Sequence, residues 1–285
     1  MPYDQTLTRP RAALQRGDGA AELVFSRSPA GGRLSHLYQR SPCRALFPRA
    51  DAGEPLNAVL LTTCGGLASG DRVRVSVTAE QGARATVTSQ AAEKIYRSLG
   101  DDCRVDVTLV ADSGAWLEFL PHETILFDGG RLRRSTELEV EAGGQLLACE
   151  MVVFGRVARG EHFRSGFLRD AWTVRLAGRL AWADALKLEG DIAARLDHPR
   201  AFAGARAMAS ALYVADDAPA QLETARSLLD GAASQAAVTA VNGILVARFF
   251  GPDPAAVRHD LGEYLGGLRH EVAGLARRLP RVWYH

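Results

Sequence analysis

Three segments of the chain repeat one pattern, in which apolar residues alternate along a strand, a glycine makes a turn, and a second apolar run follows. The turns fall at Gly82, Gly114 and Gly143, about thirty residues apart. Each unit has the pattern of a β-hairpin that ends in an acidic or amide residue. Because a unit of this length cannot bury its own apolar face, neighbouring units must stack. The sequence therefore predicts a mainly β fold of stacked β-hairpin layers, similar to a β-helix; an ordinary antiparallel sandwich is the alternative.

The strand-rich body is predicted to extend over residues 1–200. A small C-terminal α/β segment, residues 201–285, is predicted to pack on this body as one structural unit. The chain ends in a short tail with two aromatic residues, Trp283 and Tyr284. Because exposed aromatic side chains often anchor interfaces, we expect this tail to bind a partner or to dock on the protein itself.

The C-terminal segment carries the signals of two helices and one hairpin. Asp217 and Asp253 can cap helices, and each is followed by a proline in the first turn. Between the two helices, Asn242-Gly243 separates two apolar runs, which is typical of a type I′ hairpin turn. Both helices are therefore expected to pack against strands of the same segment.

The charge and the cysteines of the chain exclude several classes of protein. The formal net charge is +1 at pH 7, so the chain has no strong field for nucleic acid or an anionic membrane. The cysteines are scattered without C-x-x-C spacing, which argues against a zinc knuckle or a disulfide framework. The N-terminus lacks the apolar core of a signal peptide, and nowhere do eighteen apolar residues follow one another. We expect a cytoplasmic protein with reduced cysteines and without nucleic-acid or membrane partners.

The stretch around residue 70 resembles a phosphate-binding loop without being one. Gly65 and Gly70 have the G-x-x-x-x-G spacing, but Asp71 stands where the loop needs a lysine. The following residues alternate with a period of two, whereas a phosphate-binding loop needs a helix there. No nucleotide site is predicted.

The candidate site residues are carboxylates at the ends of the strand units, since the common nucleophile motifs are missing. These candidates are Asp71, Glu93, Glu123, Glu150 and Glu189. Glu150 interrupts the apolar run LLACEMVVF, so its charge must be paired, hydrated or functional. The structural alternative for Glu150 is an ion pair with an arginine such as Arg97 or Arg156.

Several ordered segments of the chain resemble the UreD (UreH) family of urease accessory proteins. They are TTCGGLASGDRVRV, VTSQAAEKIYRS, WLEFLPHETILFDGGRLRR, LLACEMVVFGRVARGE and the terminal LPRVW. The resemblance implies a mostly β, noncatalytic chaperone that inserts nickel into urease. It also implies three partners: UreF, the GTPase UreG that UreF carries, and apo-urease. A water-filled tunnel for nickel is a further expectation.

The resemblance assigns nickel transfer to acidic positions that match Asp71, Glu150 and Glu189. Nickel binds imidazole and thiolate tightly, whereas single carboxylates and water hold it weakly. Dispersed carboxylates therefore suit an ion in transit, and we expect no tightly bound cofactor. Cys64 and His122 depart from the family pattern, and both could coordinate nickel.

Two other functions fit parts of the sequence. Stacked β units with paired acids also occur in glycoside-cleaving enzymes, for which Glu123 and Glu150 would be the candidates. Aromatic residues, which such enzymes use to bind sugars, make up only 7% of this chain. A pure assembly scaffold that carries no ion is the other alternative.

Overall fold

The computed structural model describes residues 16–29 and 32–284 of the chain. The N-terminal residues 1–15, in which no signal peptide is predicted, lie outside this description. The described strands are β1 (Asp18–Ser26), β2 (Arg33–Arg40), β3 (Cys43–Leu46), β4 (Leu56–Thr62), β5 (Arg72–Ala79), β6 (Arg84–Ser89), β7 (Glu93–Ile95), β8 (Cys103–Ala111), β9 (Trp116–Leu120), β10 (Thr124–Leu126), β11 (Arg131–Val140), β12 (Gln145–Phe154), β13 (Phe167–Leu176), β14 (Arg179–Glu189), β15 (Ala207–Val214), β16 (Gln235–Val241) and β17 (Ile244–Gly251). The described α-helices are α1 (Ile192–Asp197), α2 (Leu222–Ser227) and α3 (Pro254–Ala273).

The strands form two sheets that face each other. One sheet has the order β14-β13-β11-β8-β5-β1-β2, and the other has the order β16-β17-β15-β12-β9-β6-β4-β3, with β7 and β10 beside it. In the first sheet β1, β5, β8, β11 and β13 run parallel. In the second sheet β4, β6, β9 and β12 also run parallel. The prediction of a mainly β fold of stacked, β-helix-like layers is confirmed.

The two strands of each predicted unit do not pair with each other. In the units β5–β6, β8–β9 and β11–β12, the first strand lies in one sheet and the second in the other, and each pairs with the neighbouring unit. The glycine turns join the sheets: Gly82 and Gly114 have φ angles of 68° and 67°. These turns also stack, since the Gly114 amide donates to the Gly143 carbonyl at 3.0 Å. The units are thus coils of a solenoid rather than hairpins.

The two hydrophobic cores explain why β12 is apolar on both faces. One core lies between the two sheets and includes Leu109, Leu138 and Phe154. The other lies between the second sheet and α3 and includes Tyr213 and Leu265. Because β12 contributes side chains to both cores, nearly all of its residues are buried. A strand that is covered on both faces loses the alternating pattern of a half-exposed strand.

Strands β15, β16 and β17 extend the second sheet, and α3 covers it. Asn242 and Gly243 have φ angles of 48° and 85°, which confirms the predicted type I′ turn between β16 and β17. The Asp253 carboxylate accepts a hydrogen bond from the Ala255 amide at 2.9 Å and caps α3 as predicted. After Asp217, where a longer helix was predicted, the chain forms only a short 3₁₀ turn and α2. The Asp217 carboxylate does not cap this turn, since it accepts a hydrogen bond from the Tyr213 hydroxyl. Of the described helices, none combines the length and apolarity needed to cross a membrane.

A buried ion-pair network fastens α3 to the solenoid. The Arg269 guanidinium, 1% exposed, donates to both oxygens of Glu118 at 2.7 and 3.0 Å and to Glu54 at 2.7 Å. It also donates to the carbonyls of Ala276 and Arg278 at 2.8 Å. All five guanidinium N–H groups are therefore used, as burial of this group requires.

Candidate functional site

A cavity of about 230 Å³ lies between the two sheets. One wall is a row of residues that are register partners on successive strands of the first sheet. This row is Ala21, Val75, Val107, Thr136, Trp172 and Asp184. Because register partners lie side by side across a sheet, the row runs along the solenoid axis. The cavity follows it from Ala21 to Trp172.

A second, smaller cavity of about 20 Å³ continues along the same row. It shares Glu150 and Trp172 with the larger cavity and extends to Asp184 and Arg248. Its opposite wall is again a register row, in which Glu150 pairs with Ser210 and Ser210 with Arg248. The two adjoining cavities are together called the inter-sheet passage. Its walls change from apolar to charged along the axis.

A buried charge cluster stands where the two cavities meet. Arg134 is bound to both oxygens of Asp170, with the Nε–Oδ1 distance at 2.9 Å. Arg134 Nη2 also lies 3.0 Å from Glu150 Oε2, and Nη1 donates to Thr124 Oγ1 at 3.0 Å. The second Glu150 oxygen accepts a hydrogen bond from Trp172 Nε1 at 2.5 Å. Glu150 is therefore ion-paired, but with Arg134, so the two partners proposed from the sequence, Arg97 and Arg156, were wrong.

The cluster holds two carboxylates for one guanidinium. Burial raises the pKa of Glu150 well above its ordinary value, and Arg134 offsets this only in part because Asp170 adds a second negative charge nearby. Burial opposes the charge of Arg134, but Asp170 and Glu150 outweigh it and raise the guanidinium pKa. The cluster thus has one carboxylate more than it has cations, and a proton on Glu150 relieves this excess.

Glu93 lines the larger cavity away from this cluster. Its carboxylate accepts hydrogen bonds from Thr62 Oγ1 at 3.0 Å and from the Lys94 amide at 2.9 Å. Among the described residues, no cation lies within ion-pair distance of Glu93. Burial raises its pKa. Glu93 and Glu150 are the two predicted site residues that the structure brings to one cavity.

The thiols that line the cavity are poor metal ligands as they stand. Burial raises the pKa of Cys43 to about 11, and it also raises the pKa of Cys149. Both therefore stay protonated at neutral pH, whereas metals bind the thiolate. Cys64 is exposed and lines the same cavity. Within the part of the chain that the structure describes, His, Cys, Asp and Glu form no group of three or more that could hold a metal ion.

Three of the predicted site residues lie outside the inter-sheet passage as the described residues form it. Asp71 accepts hydrogen bonds from the amides of Gly17 and Ala68, both at 2.7 Å, and so ties a turn to the start of β1. Glu123 pairs with Arg258 of α3 at 2.5 Å. Glu189 pairs with Lys187 at 2.6 Å on the surface, and this hydrogen bond lowers its pKa.

His122 and the C-terminal tail form one contact. Arg258 Nη1 lies 3.1 Å from His122 Nδ1, and since arginine only donates, the ring accepts there and carries its proton on Nε2 when neutral. Neither ring nitrogen then offers a free lone pair to a metal. Burial, followed by Arg258, lowers the His122 pKa. Of the two departures from the family pattern, Cys64 and His122, only Cys64 could therefore still bind nickel.

The two C-terminal aromatic residues have different surroundings. Trp283 is 8% exposed, packs against the His122 ring and donates from Nε1 to the Leu120 carbonyl at 3.1 Å. Tyr284 is 62% exposed. The tail therefore docks on the protein itself through Trp283, and Tyr284 is the aromatic residue that it presents at the surface.

The paired-acid arrangement of a glycoside hydrolase is not formed by the predicted residues. Glu150 lines both cavities, whereas Glu123 is bound by Arg258 at a different place. The sequence alone did not predict the residues that accompany Glu150 in the passage, namely Arg134, Asp170, Trp172, Asp184 and Arg248. Arg134 and Asp170 were detectable, since each is a charged residue on the apolar face of an alternating strand.

The fold and the passage define a two-sheet β-solenoid protein with two adjoining cavities between its sheets. Comparison with known proteins gives the family. The model of the UreD urease accessory protein family matches residues 17–284. The chain is 41% identical to the urease accessory protein UreD of Magnetococcus marinus, with 99% of this chain and 97% of the relative covered. It is 44% identical to UreD 1 of Methylobacterium radiotolerans, over 95% and 93% of the two chains. The chain belongs to the UreD urease accessory protein family, and the family predicted from the sequence is confirmed.

Proposed function

We propose that this protein is a noncatalytic chaperone of urease maturation that passes nickel ions along the inter-sheet passage. In this proposal it binds UreF, which carries the GTPase UreG, and docks with them on apo-urease. Relatives that match nearly the whole chain are named urease accessory proteins, which supports the role in maturation. Nickel is cargo here, and the protein holds no resident metal.

The observation that carries the proposal is the spacing of acids along the passage. Glu93, then the Glu150–Asp170 pair, then Asp184 line it in that order, so no more than two carboxylates lie together. Nickel bound by a single carboxylate and water leaves readily, whereas a cluster of imidazoles and thiolates would retain it. Acids that line the passage also lower the cost of a divalent cation in the interior. This arrangement suits transit better than storage.

Glu93→Gln is the sharpest test, because it removes a charge without breaking a hydrogen bond. The glutamine oxygen can accept from the Lys94 amide, and its NH₂ group can donate to the Thr62 hydroxyl, which rotates to accept. Glu189→Gln is the matched control, since it removes an acid from the surface outside the passage. Each variant is co-expressed with urease and the other accessory proteins at limiting nickel.

We expect Glu93→Gln to lower the nickel content of urease several-fold while UreF and urease still co-purify with the variant. Glu189→Gln should match the wild type in both measurements. If Glu93→Gln delivers nickel as well as the wild type within an intact complex, the passage carries no nickel at this position and the scaffold function is favoured. Loss of co-purification would instead assign Glu93 to assembly and contradict its role as a stop for nickel.

A further inference from the structure

Arg134 occupies the point where the two cavities of the inter-sheet passage meet. Arg134 lines the larger cavity, and its ion-pair partner Asp170 lines the smaller one. Glu150 and Trp172 line both. Arg134 and Glu150 are 9% exposed and Asp170 is 4% exposed, so the cluster belongs to the interior. An ion that moves from one cavity to the other passes these four side chains.

Every carboxylate oxygen of the cluster is already engaged. Both Asp170 oxygens accept from Arg134, one Glu150 oxygen lies 3.0 Å from Arg134 Nη2, and the other accepts from Trp172. An arginine side chain keeps its charge at any ordinary pH. A cation that arrives from the larger cavity therefore meets a fixed positive charge, and each carboxylate oxygen of the cluster is already bound to a donor.

The charges of the cluster favour a divalent cation over a monovalent one. Ionised, the two carboxylates would carry −2 against the +1 of the guanidinium, and this imbalance favours a proton on Glu150 that a bound divalent cation would release. A monovalent cation in place of the guanidinium leaves the same imbalance, whereas a divalent cation neutralises both carboxylates. We propose that Arg134 is a charge gate, a specificity-determining side chain that closes the passage until a divalent cation displaces it from Glu150 and Asp170. This inference rests on the proposed function, because it assigns a control point to the same passage.

The test uses a charge-conserving double variant, Arg134→Gln/Asp170→Asn. It removes one positive and one negative charge and so keeps the net charge of the cluster; Glu150 loses its cation but keeps the hydrogen bond from Trp172. The matched control is Arg133→Gln/Asp102→Asn, which removes the ion pair between Arg133, on the outward face of β11, and Asp102, the residue before β8. The purified full chain is titrated with NiCl₂, and quenching of tryptophan fluorescence is recorded. The same titration in a Trp172→Phe background isolates the signal of Trp172.

We expect Trp172 of the double variant to be quenched at an about tenfold lower Ni²⁺ concentration than in the wild type, equivalent to about 1.4 kcal/mol. The control variant should titrate like the wild type, and KCl should not quench Trp172 in any variant. Equal titration of the double variant and the wild type would overturn the gate. So would a Ni²⁺ signal that persists unchanged in the Trp172→Phe background.

Arg134→Lys keeps the inference testable if the double variant does not fold. A lysine retains the positive charge but cannot bind both Asp170 oxygens and Glu150 with one planar group, so Trp172 should become more accessible to Ni²⁺. An unchanged titration of Arg134→Lys contradicts the gate. The outcomes also separate the two proposals. If the Ni²⁺ titrations contradict the gate but Glu93→Gln still lowers the nickel content of urease, the proposed function stands. If the titrations support the gate but Glu93→Gln delivers nickel as well as the wild type, only the proposed function is overturned.

Discussion

The buried cluster of Arg134, Asp170 and Glu150 predicts a graded loss of stability on alanine substitution. Asp170→Ala removes the acid that binds Arg134 through both oxygens, and the guanidinium loses its main partner inside the protein. Breaking a buried ion pair in this way costs about 3–5 kcal/mol. Arg134→Ala leaves two buried carboxylates without a cation, and we expect the largest loss of the three.

Glu150→Ala should cost much less, although the residue lies in the same cluster. Arg134 keeps both bonds to Asp170, and the variant removes only the second carboxyl group, whose pKa is raised by its burial. The remaining penalty is the Trp172 N–H, which loses its acceptor. An unsatisfied buried donor costs about 1–3 kcal/mol. Because the adjoining cavity of about 230 Å³ is large enough for water to replace the carboxylate, we expect the lower half of that range.

The pH dependence of the Glu150→Ala penalty has a defined sign. The pKa of Glu150 is raised in the folded state, so folding takes up a proton between pH 4.5, its ordinary pKa, and the folded pKa of about 8. The stability that protonated Glu150 contributes is present at low pH and is lost as the pH rises through the folded pKa. Alanine has no such dependence, so the difference between wild type and Glu150→Ala should shrink with rising pH.

Urea unfolding followed by far-ultraviolet circular dichroism measures all three variants at a series of pH values. The reasoning predicts the order Arg134→Ala, then Asp170→Ala, then Glu150→Ala, from the largest loss to the smallest. If Glu150→Ala lowers the free energy of unfolding as much as Asp170→Ala does, Asp170 is not the principal partner of Arg134. A penalty for Glu150→Ala that grows with pH would refute the raised pKa.

Further predictions concern Asp71, the C-terminal tail and His122. Asp71→Asn should destabilise the protein by about 1–2 kcal/mol in urea unfolding, because a single amide oxygen cannot hold both backbone N–H groups that Asp71 binds; an unchanged midpoint would contradict this role. Trp283→Ala should lower the free energy of unfolding by about 3–5 kcal/mol, and Tyr284→Ala by less than about 1 kcal/mol. Similar losses for both variants would mean that the tail is not docked through Trp283. Burial lowers the His122 pKa, so the folded state resists protonation of this ring and stability should fall as the pH drops below about 6.5. His122→Gln should remove that part of the acid sensitivity. Thermal melts at pH 5.5 and 7.5 measure the difference.

Local sequence signals determined the elements of this protein. Alternating strands, glycine turns at a regular interval, and helix capping by Asp253 are short-range effects that depend on residues next to one another. The Asn242-Gly243 turn formed as predicted because the residues themselves tolerate positive φ. Helix α1 was missed, and the Asp217 signal led only to short helical turns, since isolated short helices depend on packing more than on propensity.

The passage was decided by the tertiary structure. Period-two alternation shows that Arg134 and Asp170 share the inward face of their strands, but it does not show that they meet. Their contact depends on the parallel register of β11 and β13, which places Arg134 beside Asp170. Glu150 reaches them from the opposite sheet. The glycine turns place the two strands of each unit in different sheets, so residues far apart in sequence line one channel. Sequence alone could identify charges on apolar faces, whereas only the stacking of the coils determined which of them are neighbours.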